Sequence, residues 1–299
     1  MALTGDVSRT RAWVLAARPR TLTAAAAPVL VGTGLAAHHG AMAALPATAA
    51  LLGALLIQVG TNLANDYYDF ARGGDTADRV GPVRVTQAGL IPPESVRRAM
   101  VLVLAAALVP GVYLVWVGGW PILGIGLASI ACAVLYTGGP YPLAYHGLGD
   151  PFVFVFFGLV AVGGTYWAQA LSWPPDALLA GAGIGALSTA LLVVNNLRDI
   201  ETDARAGKRT LAVRIGRTGT RVEYALLLLF AQLVPLVGVA VLDWPPTVLA
   251  ALLVAPLCAA PLGAVMTAAD PRELIAALGA TARVVALYGG LLALGFALG

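Results

Sequence analysis

Long apolar runs separated by short polar breaks fill the chain, and the runs are of a length that crosses a bilayer. A spanning helix needs roughly 20 mostly apolar residues. About nine runs approach that length: 21–37, 42–64, 99–117, 120–137, 151–170, 177–196, 224–242, 246–267 and 281–298. The second and sixth are expected to extend a turn or two into the polar segments behind them. No long stretch alternates with period two, which argues against a β-barrel. The expected fold class is therefore all-α, a polytopic membrane protein forming a single domain over 1–299.

Composition agrees with the pattern. Hydrophobic residues make up 59% and charged residues only 11% of the 299 positions, with a mean hydropathy of +0.84. Soluble domains carry about 25% charged residues. The two cysteines, Cys132 and Cys258, lie in apolar runs and build no disulfide framework. Arg9 and Arg11 are followed by no short apolar core with a cleavage site, so no removable signal peptide is expected.

The pI near 9.0 would suggest nucleic acid if the charge were spread evenly. Instead the 18 basic residues fall in the N-terminal tail, after the second run, after the sixth run, and in the last hairpin at Arg272 and Arg283. With nine spans all of these share one face. The positive-inside rule then predicts a cytoplasmic N-terminus and an external C-terminus. The basic excess reads as membrane topology plus a local site, with no nucleic-acid partner.

Two polar connections on that face, 66–98 and 198–222, are long enough to suggest function. The first opens Asn62-Leu-Ala-Asn65-Asp66-Tyr-Tyr-Asp69 and continues to Asp75, Asp78 and Arg79; the second opens Asn195-Asn196-Leu-Arg-Asp199 and continues to Asp203, Lys208 and Arg209. On a helix at about 100° per residue, Gln58, Asn62, Asn65, Asp66 and Asp69 share one stripe. Asn195, Asp199 and Asp203 share another, with Arg198 and Glu201 expected to point elsewhere. Asn65, Asp69 and Arg79 superpose on Asn195, Asp199 and Arg209 at a fixed offset. Gly73 stands where the counterpart of Asp203 would fall, leaving Asp75 to serve. The offset suggests an internal repeat, two four-helix units plus a ninth helix.

Carboxylates gathered at one bundle mouth repel one another, by about 4 kcal/mol per pair at 4 Å and an effective dielectric near 20. Something cationic must sit among them. Arg79, Arg84, Lys208 and Arg209 supply part of it. The hard oxygen donors of Asn and Asp suit Mg²⁺, which commonly shares its shell with substrate phosphates. A Mg²⁺-bridged diphosphate between two acidic helix ends is the economical reading. A solvated, capped helix end would explain one stripe, but two matching stripes on one face favour a site. The His38-His39 pair reads as an exposed turn and His146 as a polar loop residue. Gly181, Gly183 and Gly185 read as close helix packing. Tyr136 and Tyr145 are either interfacial belt residues or the lining of a pocket that stabilises a carbocation.

The segments NLANDYYDFARGGDTADRVGP, VTQAGLI and NNLRDIETDARAGKRTLAVRIG, with ARPRTL and YTGGPYPLAYHGLGD, resemble the UbiA-type superfamily of intramembrane prenyltransferases. Within it they are most similar to the 1,4-dihydroxy-2-naphthoate polyprenyltransferases of menaquinone biosynthesis. The resemblance implies about nine helices around a central cavity, with a cytoplasmic polar cap and a lateral opening to membrane lipid, in a bacterial cell membrane. It implies a polyprenyl diphosphate donor, an aromatic acceptor and Mg²⁺ as cofactor. Metal ligands would be Asn65, Asp69, Asp75, Asn195, Asp199 and Asp203, with Asp66, Asp69, Asp199 and Asp203 as catalytic residues. Arg79, Arg84, Lys208, Arg209, Asn62, Tyr136 and Tyr145 would bind substrate. Asp66 and Asp78 are candidates for proton removal. Other acceptors, 4-hydroxybenzoate or homogentisate, are alternatives; a cation-coupled anion transporter and a lipid-binding scaffold are readings of another class.

Overall fold

The computed structural model describes residues 7–74 and 80–299, and the described residues form helices and turns without strands. A short helix α1 (Arg9–Ala17) leads through a 3₁₀ turn into α2 (Leu22–His38), followed by α3 (Ala44–Ala71) and α4 (Pro93–Leu135). Next come α5 (Gly149–Phe154), a π-helical turn at Val155–Val160 and α6 (Ala161–Ala170), which together make one span. The C-terminal half is α7 (Pro175–Arg198), α8 (Ile200–Arg205), α9 (Leu211–Val241), α10 (Ala255–Thr267) preceded by a 3₁₀ segment at Pro246–Val254, and α11 (Glu273–Leu298).

Eight helical stretches among the described residues are long and apolar enough to cross a membrane, where about nine were expected. The difference lies in α4. Its 43 residues would run about 65 Å as one helix, twice a bilayer core. Gly119, with φ 69° and ψ −159°, is non-helical and divides it. Two sequence runs, 99–117 and 120–137, thus meet at a glycine break with no loop between them. α3 and α7 do extend into the polar segments behind them, to Ala71 and Arg198.

Side chains facing outward are apolar, as in Leu102, Val109, Val112, Trp116 and Trp120, all at least 69% exposed. Lipid tails are as apolar as these residues, so the helices are held together by close packing rather than by exclusion of water. The glycines show where. A Cβ on Gly158 would lie 2.5 Å from the Gly181 carbonyl oxygen and 2.6 Å from Gly185 Cα. Here the π-helical turn and α7 touch backbone to backbone.

Polar contacts sort the connections into two ends. At one end His39 pairs with the Tyr166 hydroxyl, Gln169 accepts the Ala43 amide, Trp167 donates to Gly118 O, and Trp244 donates to Asp176. At the other end Arg72 donates to Gly139 O, Arg214 to His146 O, and Arg221 to Val265 O and Ala268 O. The basic connections therefore lie together. The chain is an integral membrane protein by its helices.

Candidate active site

The first motif occupies the last three turns of α3. Asn62 donates at 2.9 Å both to Ala17 O and to Thr21 Oγ1, and accepts from Gln58 Nε2 at 3.2 Å. It thereby fixes the turn between α1 and α2. Arg18 in that turn has φ 50°, an αL conformation unusual for a non-glycine residue, and stands immediately before Pro19, which disfavours the helical alternative. Asn65 accepts from the Thr137 hydroxyl at 3.0 Å.

Asp66 is 1% exposed and holds backbone: it accepts from Val85 N at 3.1 Å and Thr86 N at 2.9 Å, with Arg18 Nη2 3.9 Å away. Asp69, one turn on, accepts from Arg84 Nη2 at 3.1 Å and from the Tyr145 hydroxyl at 3.0 Å. Asp66 and Arg84 thus fold the segment behind α3 back over the helix end. Asp75, Asp78 and Arg79 lie outside the described residues.

The second motif departs from a continuous helix. α7 ends at Arg198, and Asp199, with φ −94° and ψ 7°, sits between α7 and α8. Arg198 was expected to point away from the carboxylate stripe, but the bend turns its guanidinium onto it. Nε donates to Asp199 Oδ1 at 2.8 Å, and Nη2 donates to Oδ2 at 2.6 Å and to Asn195 Oδ1 at 2.7 Å. Glu201 does point elsewhere, to Arg217 at 2.8 Å. Asp203 remains buried, 3.8 Å from Lys208 Nζ. Arg209 bonds through its backbone amide to Tyr145 O at 3.1 Å, and its side chain is exposed.

Tyr145 joins the two motifs. Its hydroxyl holds Asp69, and its ring lies 5.5 Å from Lys208 Nζ, the partner of Asp203. Arg72 Cζ stands 5.6 Å from the same ring. The connection carrying Tyr145 has no Lys or Arg of its own, and neighbouring elements bring two cations to it. A second bridge runs through Gly81, where a Cβ would lie 3.0 Å from Arg198 Cζ. Burial and then Asp69 push the Tyr145 phenol up, so its hydroxyl stays protonated as the donor to Asp69.

Below this polar rim lies a cavity of about 540 Å³. Its polar lining includes Arg18, Gln58, Asn62, Asn65, Asn195 and Tyr136, while Phe152, Phe156, Phe157, Leu123 and Ile125 are among its apolar walls. A molecule with a charged head and a hydrocarbon tail fits this division. Among the described residues no three Asp, Glu, His or Cys side chains converge on one point. A cation here would combine one or two of these carboxylates with amide oxygens and oxygens of its own ligand, which suits a hard, hydrated ion rather than zinc.

Sequence comparison agrees with this architecture, since the profile of the UbiA prenyltransferase family matches residues 25–287. The chain belongs to that family. It is 45% identical to the 1,4-dihydroxy-2-naphthoate octaprenyltransferase of Mycobacterium tuberculosis over 263 residues, covering 88% of this chain and 89% of the relative. It is 43% identical to the enzyme of the same name from Escherichia coli, covering 75% of each chain. Among solved structures, a UbiA homologue from Archaeoglobus fulgidus bound to DMAPP and Mg²⁺ shares the fold. That likeness has a TM-score of 0.60 and 15% identity, over 94% of this chain and 98% of the other.

The residues that sequence reasoning missed are the ones placed by turns. Arg18, Arg72, Thr137 and Arg198 each reach the site from a helix end or a connection. Only Arg18, directly before a proline, carried a visible signal.

Proposed function

We propose that the chain transfers a polyprenyl group from an allylic polyprenyl diphosphate to 1,4-dihydroxy-2-naphthoate, releasing diphosphate and CO₂ and giving demethylmenaquinol. The observation that carries this reading is the joining of both Asn/Asp helix ends through Tyr145 above a cavity with apolar walls. The acceptor rests on relatives at 38–45% identity that carry this acceptor in their name.

The tail lies among Phe152, Phe156 and Phe157, and the head lies at the rim. Mg²⁺, when bound, would offset charge on the diphosphate, with Asn65 and Asp69 as holders at one helix end, Asp75 as a further ligand there, and Asn195, Asp199 and Asp203 as holders at the other. The donor set fits that ion: amide and carboxylate oxygens, several directed by neighbouring guanidinium and phenol groups. Arg84, Lys208 and Arg209, with Arg79, neutralise the negative charge that builds on the leaving diphosphate, the kind of preorganised electrostatic stabilisation that dominates many transfers. The allylic C–O bond breaks with its electron pair going to diphosphate. The ring carbon bearing the carboxylate then bonds to the allyl carbon, and CO₂ leaves as the ring regains aromaticity. The aromatic walls exclude water that would quench the cation.

The basic end faces the cytoplasm of a bacterial cell membrane, and the C-terminus lies outside, as the clustering of arginines supports. The chain is one domain built from a duplicated helical unit, since α3 and α7 carry equivalent motifs to the same rim. The deciding assay combines purified protein in vesicles with dihydroxynaphthoate, a polyprenyl diphosphate and Mg²⁺. Prenylated naphthoquinol is the expected product. Turnover with 4-hydroxybenzoate or homogentisate alone would reassign the acceptor, and solute accumulation without product would replace the enzyme reading with transport.

A further inference from the structure

Polar groups around a membrane-embedded cavity need partners, because hydrocarbon supplies none. Most of those at the reaction cavity find one within the chain: Asn62 bonds to Ala17 O and Thr21, and Asn65 accepts from Thr137. Two oxygens do not. Gln58 Oε1 and Ser188 Oγ are buried and have no hydrogen-bond partner among the described residues. Both residues line the cavity, and they are only 7% and 3% exposed.

Their positions are equivalent. Gln58 stands seven residues before Asn65, and Ser188 stands seven before Asn195, so the offset that superposes the two motifs superposes this pair as well. Seven residues are two helical turns, about 10 Å, and return to the same helix face. Each helix thus carries one more oxygen below the rim, near the middle of its span. Local duties do not account for either. Gln58 spends its amide protons on Thr21 Oγ1 and Asn62 Oδ1, at 3.2 Å each, and its Oε1 remains purely an acceptor. Thr189 returns its hydroxyl proton to Gly185 O at 2.8 Å, the usual resort of a hydroxyl inside a helix. Its neighbour Ser188 makes no such bond.

We propose that Gln58 and Ser188 hold the two ring oxygens of the aromatic acceptor and so select a 1,4-diol. The inference rests on the acceptor proposed above. An isoprenoid tail has no polar atom to offer, and the diphosphate is held two turns away at the rim. The acceptor is the reactant with oxygens left to bind. In 1,4-dihydroxy-2-naphthoate the 1-hydroxyl lies beside the carboxylate and gives its proton to it, so its oxygen accepts from the Ser188 hydroxyl. The 4-hydroxyl, across the ring, keeps a free proton for Gln58 Oε1. A ring held at two opposed oxygens between α3 and α7 turns its carboxylate-bearing edge to the rim and its second ring to the apolar walls. 4-Hydroxybenzoate has one ring hydroxyl and engages one of the two, and a pocket built to bond a hydroxyl discriminates against a ligand that lacks it.

The test is equilibrium binding of 1,4-dihydroxy-2-naphthoate, followed by its own fluorescence, to the full-length protein in phosphatidylcholine vesicles. Ser188→Ala and Gln58→Met should each bind it about tenfold more weakly, the scale of one hydrogen bond lost in a dry cavity. Ser188→Ala should bind polyprenyl diphosphate as wild type does. It should also melt no lower than wild type, because it removes an unpaired buried hydroxyl. 1-Hydroxy-2-naphthoate, which lacks the 4-hydroxyl, should bind wild type and Gln58→Met equally and still bind Ser188→Ala more weakly. Equal binding of the diol by wild type and both variants overturns the proposal and assigns the two oxygens to water. A loss in Gln58→Met as large for 1-hydroxy-2-naphthoate as for the diol also overturns it, since that loss would come from a displaced Asn62. If wild type binds 4-hydroxybenzoate and not the diol, the acceptor reading falls and this inference with it. If wild type binds the diol and the variants do not differ, this inference falls alone.

Discussion

The Tyr145 hydroxyl donates to Asp69 Oδ1 at 3.0 Å, across 76 residues of sequence. This bond fixes the end of α3 to the connection between α4 and α5, and the same ring meets Lys208 from beyond α7. One phenol therefore sets the spacing of three separate elements at the rim. In Tyr145→Phe the ring stays and the bond is lost, so kcat should fall several-fold, and Tyr145→Ala should fall further because Lys208 and Arg72 lose their shared platform. Steady-state kinetics of the two variants separate the contributions.

The same phenol makes a prediction about pH. Burial and Asp69 raise its folded-state pKa above the ordinary value near 10. A donor whose pKa is raised keeps its full contribution below the unfolded value and loses it only as pH rises through the higher folded value. Between pH 6 and 9 Tyr145 does not titrate, so the pH–rate profile of Tyr145→Phe should be lower than that of wild type and parallel to it. A limb that disappears in the variant would contradict this assignment.

Asp69→Ala and Asp199→Ala should each reduce kcat by ~10²-fold or more, the scale of losing a preorganised electrostatic group. Each change also removes a carboxylate that a buried guanidinium contacts, Arg84 in one case and Arg198 in the other. Asp69→Asn and Asp199→Asn preserve shape and separate loss of charge from loss of fold. Thermal melting in detergent, run beside the activity assay, makes that distinction.

Asp66 carries a different expectation. Its two oxygens take the amides of Val85 and Thr86, so Asp66→Ala would orphan two buried donors at about 1–3 kcal/mol each. Hydrogen exchange should rise over 83–91 before it rises in the helices. If exchange there is unchanged while kcat collapses, Asp66 acts in the chemistry instead.

Chelation by EDTA should abolish turnover, and excess Mg²⁺ should restore it, because the carboxylates and amides of the rim have hard oxygen donors. Turnover that persists in EDTA would remove the divalent ion from the reading.

Much of this was legible in the chain because apolar run length and helical spacing are local properties. The spans, the two Asn/Asp stripes and the packing role of Gly181 and Gly185 all follow from neighbours within a few turns. What escaped was set by chain reversals. Gly119 divides a continuous apolar stretch without any polar signal. The bend at Asp199 turned Arg198 onto the stripe that a regular helix would have pointed it away from. Arg72 and Lys208 flank Tyr145 through contacts between distant segments, and no spacing rule in one segment could encode them. Arg272 and Arg283, which looked like topology signals, line a groove that only the packing of α11 beside α2 creates.

The π-helical turn at Val155–Val160 fixes the length of its span. A wide turn holds one residue more than an α-helical turn would, and here the extra residue lets Gly158 meet α7 while Phe152, Phe156 and Phe157 all face the cavity. Deleting a single position there would rotate everything downstream by about 100°. Trp167 would swing away from Gly118, and Tyr166 from His39. This segment can therefore exchange one side chain for another, yet it cannot be shortened to suit a thinner bilayer without unlatching the far end of the bundle.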